Sequence, residues 1–166
     1  IQMGATGTDL LRETLANWDQ GDEVLGELPF GQADLIVAVP ACWADVDVLD
    51  DLDAAAAAFR TTHGFRLRIA TKYHRLVRDF LRDHGVADYQ LVDSQGATEG
   101  TINNETAEAI ADITTTGETL RANHLKILSD GMILKSQATL FRSRAAELSD
   151  DDRAVLTKLS QLLGVD

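Results

Sequence analysis

ADLIVAVP, residues Ala33–Pro40, holds five apolar side chains in a row, Leu35 to Val39, closed by a proline. A strand with one wet face alternates apolar and polar residues, and this one does not. It is expected to be covered on both faces, as a strand is when helices pack against both sides of its sheet. The expected class is therefore α/β. The segments on either side agree. Asp45–Gly64 reads as a helix with Ala54–Ala58 at its centre and Gly64 as its stop. Arg66–Thr71 (RLRIAT) is a second strand, and Tyr73–Gly85 is a helix with Leu76, Val77, Phe80 and Leu81 inward. Asp88–Gly96 and Ala107–Ile113 supply a third and a fourth strand. Strand and helix alternating in this way define the class.

Towards the start, Ile1–Leu15 runs from a short apolar segment into an amphipathic helix opened by Asp9, with Leu10, Leu11 and Leu15 expected inside. Asp22–Gly31 is a turn-rich link with a short strand. Towards the end, His124–Arg144 alternates polar and apolar residues and is expected to form a strand pair turning at Asp130-Gly131. Ser149–Val165 reads as a helix capped by Ser149 or Asp150, with Leu156, Leu159, Leu162 and Leu163 inward. Two lobes are expected: residues 1–40 with 133–166, incomplete at its start because Ile1 reads as a strand already in progress, and residues 41–132. Pro40 and Asp130-Gly131 would be the crossing points.

The formal net charge is −12 and the isoelectric point near 4.6. A duplex-binding module carries a basic face, so nucleic acid is not an expected partner. One cationic island interrupts the acid: Arg60, Arg66, Arg68, Lys72, Arg75, Arg78 and Arg82, against the single acid Asp79. It suits a small anionic ligand or a solvated helix face. The single cysteine, Cys42, excludes an internal disulfide and a thiolate zinc site. No run approaches the ~20 apolar residues that span a bilayer, and nothing resembles a signal peptide. No membrane partner and a cytoplasmic location are expected.

The densest chemistry lies in DITTTGETL, Asp112–Leu120, which follows the fourth strand. Gly117 lets a ligand approach the backbone closely. N–H groups at the start of the next helix, and the helix dipole, favour an anion there. The hydroxyls of Thr114, Thr115, Thr116 and Thr119 add donors, and bonds to a charged acceptor are worth about 1.5–3 kcal/mol each. Asp112, before the loop, could accept from sugar hydroxyls. A loop with phosphate donors at one end and an acid at the other fits a ribose 5-phosphate. A hydroxyl-rich turn that only caps its own helix fits equally well.

Taken together, GATGTDLL (Gly4–Leu11), LRIATKY (Leu67–Tyr73), GATEG (Gly96–Gly100) and AEAIADITTTGETLRANHLKIL (Ala107–Leu128) resemble the ATP phosphoribosyltransferases, in their short, alphaproteobacterial form. Order and spacing agree along the chain. The resemblance implies a two-lobed fold of the type II periplasmic-binding-protein kind, with the active site in the inter-lobe cleft. It implies the first reaction of histidine biosynthesis: N1 of ATP attacks C1 of 5-phosphoribosyl 1-pyrophosphate (PRPP), and pyrophosphate leaves with substrate-borne Mg2+. By likeness Asp112, Thr114, Thr115, Thr116, Gly117, Glu118 and Thr119 would bind PRPP, with Asp112 and Glu99 catalytic. Gly7 and Asp9 would lie near the nucleotide, and Lys72, at a strand end, is the basic residue expected beside them. A histidyl-tRNA-synthetase-like regulatory subunit, in a homo- or hetero-oligomer, is the implied partner. The family opens with a basic PKGR-like segment absent from this sequence, so an N-terminal part is expected to precede Ile1. By the same likeness, the long form's regulatory domain is not expected.

Two rival readings stay open. Type I phosphoribosyltransferases carry a comparable acid–Thr–Gly loop, usually after two adjacent acids, whereas Ala111 precedes Asp112 here. A non-catalytic small-anion binding or sensor domain could use the same fold. His63, His74, His84 and His124 lack metal-ligand spacing, and no metal ligands are expected. The acids from Asp45 to Asp53 suit a helix start. Trp18 and Trp43 are expected to pack rather than stack on adenine.

Overall fold

The computed structural model of the chain describes residues 3–15, 18–94 and 98–164. Its strands are β1 (Met3–Gly7), β2 (Asp22–Glu27), β3 (Ala33–Pro40), β4 (Leu67–Thr71), β5 (Tyr89–Asp93), β6 (Ala109–Thr114), β7 (Leu125–Ser136) and β8 (Ala138–Ser143). Its helices are α1 (Thr8–Thr14), α2 (Trp18–Gly21), α3 (Leu49–His63), α4 (His74–Asp83), α5 (Gly100–Asn103), α6 (Glu118–Ala122) and α7 (Asp150–Leu163). The chain divides into two compact units, one of residues 1–32 with 136–166 and one of residues 33–135. Pro40 and Asp130-Gly131, expected between lobes, lie within or at the end of strands of the second unit, because β3 and β7 are neighbours in its sheet.

That sheet has five strands in the order β5-β4-β6-β3-β7. β4 runs parallel to β5 and β6, and β3 runs antiparallel to β6. Side chains alternate across a strand, and β3 shows what its unbroken apolar run is for. Leu35, Val37 and Val39 enter one buried cluster with Leu49, Leu52, Leu67, Ile69, Val77 and Leu81. Ile36 and Ala38 enter another, with Ala70, Ile110, Leu120 and Leu125. Both faces of the strand are dry. Each such aliphatic side chain contributes roughly 1.5–3 kcal/mol on burial, and this central strand organises the unit.

The other unit holds a three-stranded antiparallel sheet, β1-β8-β2, whose register shifts between Val24 and Gly26. Leu28 and Leu140 form its small core, with Leu159 and Leu163 of α7 packed on it. Leu11 is buried, but Leu10 and Leu15 are not, being 47% and 37% exposed. Leu162, expected inward, is 75% exposed, because α7 lays only one edge on the small core.

The expected turn at Asp130-Gly131 does not form: β7 runs unbroken through it, and the chain turns at Gln137. Asp130 Oδ1 accepts from the Leu49 N–H at 2.9 Å, at the start of α3. A Cβ on Gly131 would stand 2.9 Å from Leu128 Cβ and 3.1 Å from the Val37 carbonyl. The pair serves tight packing against α3 and β3, not chain reversal.

Candidate functional site

The carboxyl ends of the parallel strands β4, β5 and β6 lie at one edge of the five-stranded sheet, where open α/β sheets bind ligands. Three buried hydroxyls lie at or near this edge. Thr71 Oγ1 accepts from the Tyr73 N–H at 3.0 Å, the Ser94 N–H bonds the Thr71 carbonyl at 3.2 Å, and the Ser94 and Thr98 hydroxyls meet at 2.8 Å. Ser94 and Thr98 tie the end of β5 to the residue before Glu99. Residues 95–97, including the Gly96 and Ala97 of the GATEG stretch, lie outside the described residues.

Asp112 stands on β6 directly opposite Ile36 and on the same face as Ile110, above the second apolar cluster. Its side chain is 14% exposed, and Lys72 Nζ lies 4.0 Å from its Oδ1. The Ile113 N–H donates to the same oxygen at 2.8 Å. Lys72 follows the end of β4 directly and is itself 46% exposed.

The threonine loop then turns sharply. Gly117 takes the left-handed conformation, φ 71°, and is buried. Its N–H donates to Thr114 Oγ1 at 3.0 Å, and the Glu118 N–H to Thr116 Oγ1 at 3.3 Å. Two hydroxyls thus serve the loop itself. The Thr115 and Thr119 hydroxyls, and the N–H groups of Thr115, Thr116, Thr119 and Leu120, have no hydrogen-bond partner among the described residues. A cluster of unspent donors of this kind is a concavity for an anion.

Asp112, Thr114, Thr115, Thr116, Thr119 and Glu99 line one cleft of about 190 Å3, closed by Ala33, Ile113 and Leu120. It is smaller than the roughly 300–1,000 Å3 of pockets for drug-sized ligands, and of a size for a phosphorylated sugar fragment. The cleft lies wholly within the second unit. Gly117 lies in the loop beside it without lining it, and Glu118 is exposed. One supporting residue escaped the sequence reading. Arg121 Nη2 donates to the Thr116 carbonyl at 3.1 Å, and the spacing of one helical turn after Gly117 was the signal for it.

Gly7 and Asp9 belong to the other unit. Asp9 is buried, and its Oδ1 accepts from Ser136 Oγ at 2.5 Å while its N–H donates to that hydroxyl at 3.1 Å. The carboxylate folds back over Gly7, where a Cβ would collide with Asp9 Oδ1. The residues GTD therefore form one folded turn, with Thr8 bonded to Thr139 at 2.8 Å.

Three arginines of the cationic island are engaged in ion pairs. Arg60 pairs with Asp88, Arg68 with Glu108, and Arg82 with Asp79 and Asp83. The Glu108 hydrogen bond holds the Arg68 guanidinium above its ordinary pKa, and Asp83 does the same for Arg82. Among the described residues no group of three or more His, Cys, Asp or Glu side chains is placed to hold a metal ion. No described helix is long and apolar enough to cross a membrane. His63 ends α3, and His84, the residue closing α4, sets Nδ1 2.8 Å from the Phe80 carbonyl. Trp43 packs on the larger apolar cluster. The Trp18 side chain lies outside the described residues.

Known proteins fit this arrangement. The sequence pattern of the HisG family, ATP phosphoribosyltransferase, matches residues 1–164. An ATP phosphoribosyltransferase of Cereibacter sphaeroides is 71% identical over 150 residues, which are 90% of this chain and 64% of that protein. The chain thus spans just under two thirds of that relative's length. Among solved structures, the ATP phosphoribosyl transferase (HisG:HisZ) complex from Thermotoga maritima superposes with a TM-score of 0.73 at 21% identity, over 98% of this chain and 69% of that one. The glycine betaine/L-proline-binding protein ProX of Borrelia burgdorferi superposes with a TM-score of 0.60 at 14% identity, over 93% and 61%. These two likenesses establish the fold, that of the two-lobed type II periplasmic binding proteins. The match to the family's sequence pattern over residues 1–164 places the chain in the ATP phosphoribosyltransferase family.

Proposed function

We propose that the protein transfers the 5-phosphoribosyl group of PRPP to N1 of ATP, giving N1-(5-phosphoribosyl)-ATP and pyrophosphate, at the start of histidine biosynthesis. The observation that carries this reading is the cleft that joins Asp112 and Glu99 to Thr114, Thr115, Thr116 and Thr119. The unpartnered N–H groups and the Thr115 and Thr119 hydroxyls receive the 5-phosphate. Asp112, lining the same cleft, accepts from the ribose hydroxyls.

As the bond from C1 to the pyrophosphate oxygen breaks, positive charge builds on C1 and the ring oxygen. Asp112 or Glu99 stabilises that charge electrostatically. Adenine N1 enters with its lone pair and has no proton to lose, so no general base is required. Catalysis rests on holding two polyanions in line. Magnesium arrives as part of the substrate, on the pyrophosphate, and Lys72 helps to hold nucleotide phosphate. Gly7 and Asp9 shape the nucleotide side. The protein acts in the cytoplasm, in an oligomer with a regulatory subunit resembling histidyl-tRNA synthetase, a reading supported by the likeness to the HisG:HisZ complex.

The test is the ultraviolet absorbance of N1-ribosylated ATP, followed with the full-length protein, with and without such a subunit. Turnover dependent on both PRPP and ATP is expected. Phosphate or PRPP binding without product would favour a non-catalytic anion-binding domain instead.

A further inference from the structure

We infer that Arg121 is a positioning residue that locks the threonine loop in its anion-receiving form. The inference rests on the reading of that loop as the site of the 5-phosphate. The peptide between Thr116 and Gly117 is held at both ends. Its carbonyl accepts from Arg121 Nη2 at 3.1 Å, and its N–H donates to Thr114 Oγ1 at 3.0 Å.

This clamp answers a specific weakness. Gly117 is needed in the left-handed region at φ 71°, and a Cβ there would stand 3.2 Å from Arg121 Nη1. Glycine, however, adopts positive and negative φ with nearly equal ease. Released, the peptide between 116 and 117 can turn over, which moves the Thr116 carbonyl away from Arg121 and breaks the Thr114 cap. A carbonyl oxygen could then face the cleft where an anion is to sit. Arg121 removes that alternative by binding the carbonyl from the far side. It is well placed for the task, because its own N–H bonds the Gly117 carbonyl at 3.0 Å, fixing the root of the side chain to the loop it holds.

The geometry also separates Arg121 from a simple attractor of charge. A guanidinium offers several N–H groups in a rigid plane, and an ammonium of equal charge does not. Replacing Arg121 by Lys keeps the charge and loses the clamp.

The experiment is steady-state kinetics on the full-length protein with its regulatory subunit, for wild type, Arg121→Lys, Arg121→Gln and Arg121→Ala. Loss of the clamp is expected to raise KM for PRPP by about tenfold or more, with KM for ATP unchanged. Arg121→Lys should recover little, and added guanidinium ion should partly rescue Arg121→Ala. A thermal melt without ligand separates folding from binding, and titration of the Gly117 amide resonance with inorganic phosphate reads the loop directly. Arg121→Lys matching wild type, or unchanged KM for PRPP in folded Arg121→Gln, overturns the inference. Wild type failing to bind either PRPP or phosphate overturns the loop reading itself, and this inference with it.

Discussion

At the residue scale, Gly117 and Asp112 carry the sharpest expectations. Gly117→Ala places a side chain at φ 71° against the Arg121 guanidinium. It should destabilise the fold by about 1 kcal/mol or more, read from a urea midpoint, and weaken phosphate binding beyond that change. Asp112→Asn keeps the shape of the cleft and the Ile113 contact but removes the charge. If the carboxylate steadies a cationic transition state, kcat should fall by about 100-fold with KM for PRPP changed far less. A raised KM for PRPP with kcat unchanged would make Asp112 a binding group only. Asp112 could be read in the sequence as the acid before a threonine loop. Its companion Lys72 could be read only as a strand-end lysine, because their 4.0 Å approach depends on β4 and β6 being neighbours.

At the scale of elements, the strands were legible and one turn was not. The unbroken apolar run of β3 announced a strand dry on both faces, and the two clusters that share its side chains explain why. Asp130-Gly131 carried the usual signature of a hairpin, but β7 passes straight through it. The demand came from α3, whose first N–H groups need an acceptor, and no local pattern encodes that. Helix α7 was readable through its cap. Ser149 accepts from the Asp152 N–H at 3.2 Å, and Asp152 accepts in return from the Ser149 N–H at 3.0 Å. Ser149→Ala should lower stability by about 1 kcal/mol, measured by denaturant unfolding.

The caps also set a pH dependence. Bonds from Ser149 hold the Asp152 carboxyl below its ordinary pKa of 3.8, and backbone bonds from Asp47 and Val48 do so for Asp51. A lowered folded pKa means that the charged form is the one folding favours. The stabilisation is present above pH 3.8 and is lost as pH falls through the lower folded value. Thermal melts from pH 5 downward should therefore show a falling Tm. The fall should be shallower in Asp152→Asn, which no longer has that proton to take up.

At the scale of the whole molecule, acidity and site pull in different directions. The net charge of −12 gave no hint of an anionic ligand, and three of the seven cations in the island that did, Arg60, Arg68 and Arg82, are engaged by neighbouring acids. What the sequence could convey was the loop, since its donors are backbone N–H groups and hydroxyls that need no net charge. PRPP bound only by the folded chain should raise Tm, by about 2.7 kcal/mol of added stability at one hundred times its Kd. Unchanged melting at saturating PRPP would refute the assignment of the cleft.

The unit of residues 33–135 is a single uninterrupted stretch, whereas its companion is assembled from both ends of the chain. Its first and last strands are neighbours, and the Ala41 N–H bonds the His124 carbonyl at 2.8 Å where β3 ends and β7 begins. Further along, the Val37 carbonyl meets Gly131, so the two strands run antiparallel and entry and exit lie side by side, as in domains that tolerate insertion. A gene cassette spanning only that stretch should yield an autonomous miniature protein, one able to capture inorganic phosphate unaided.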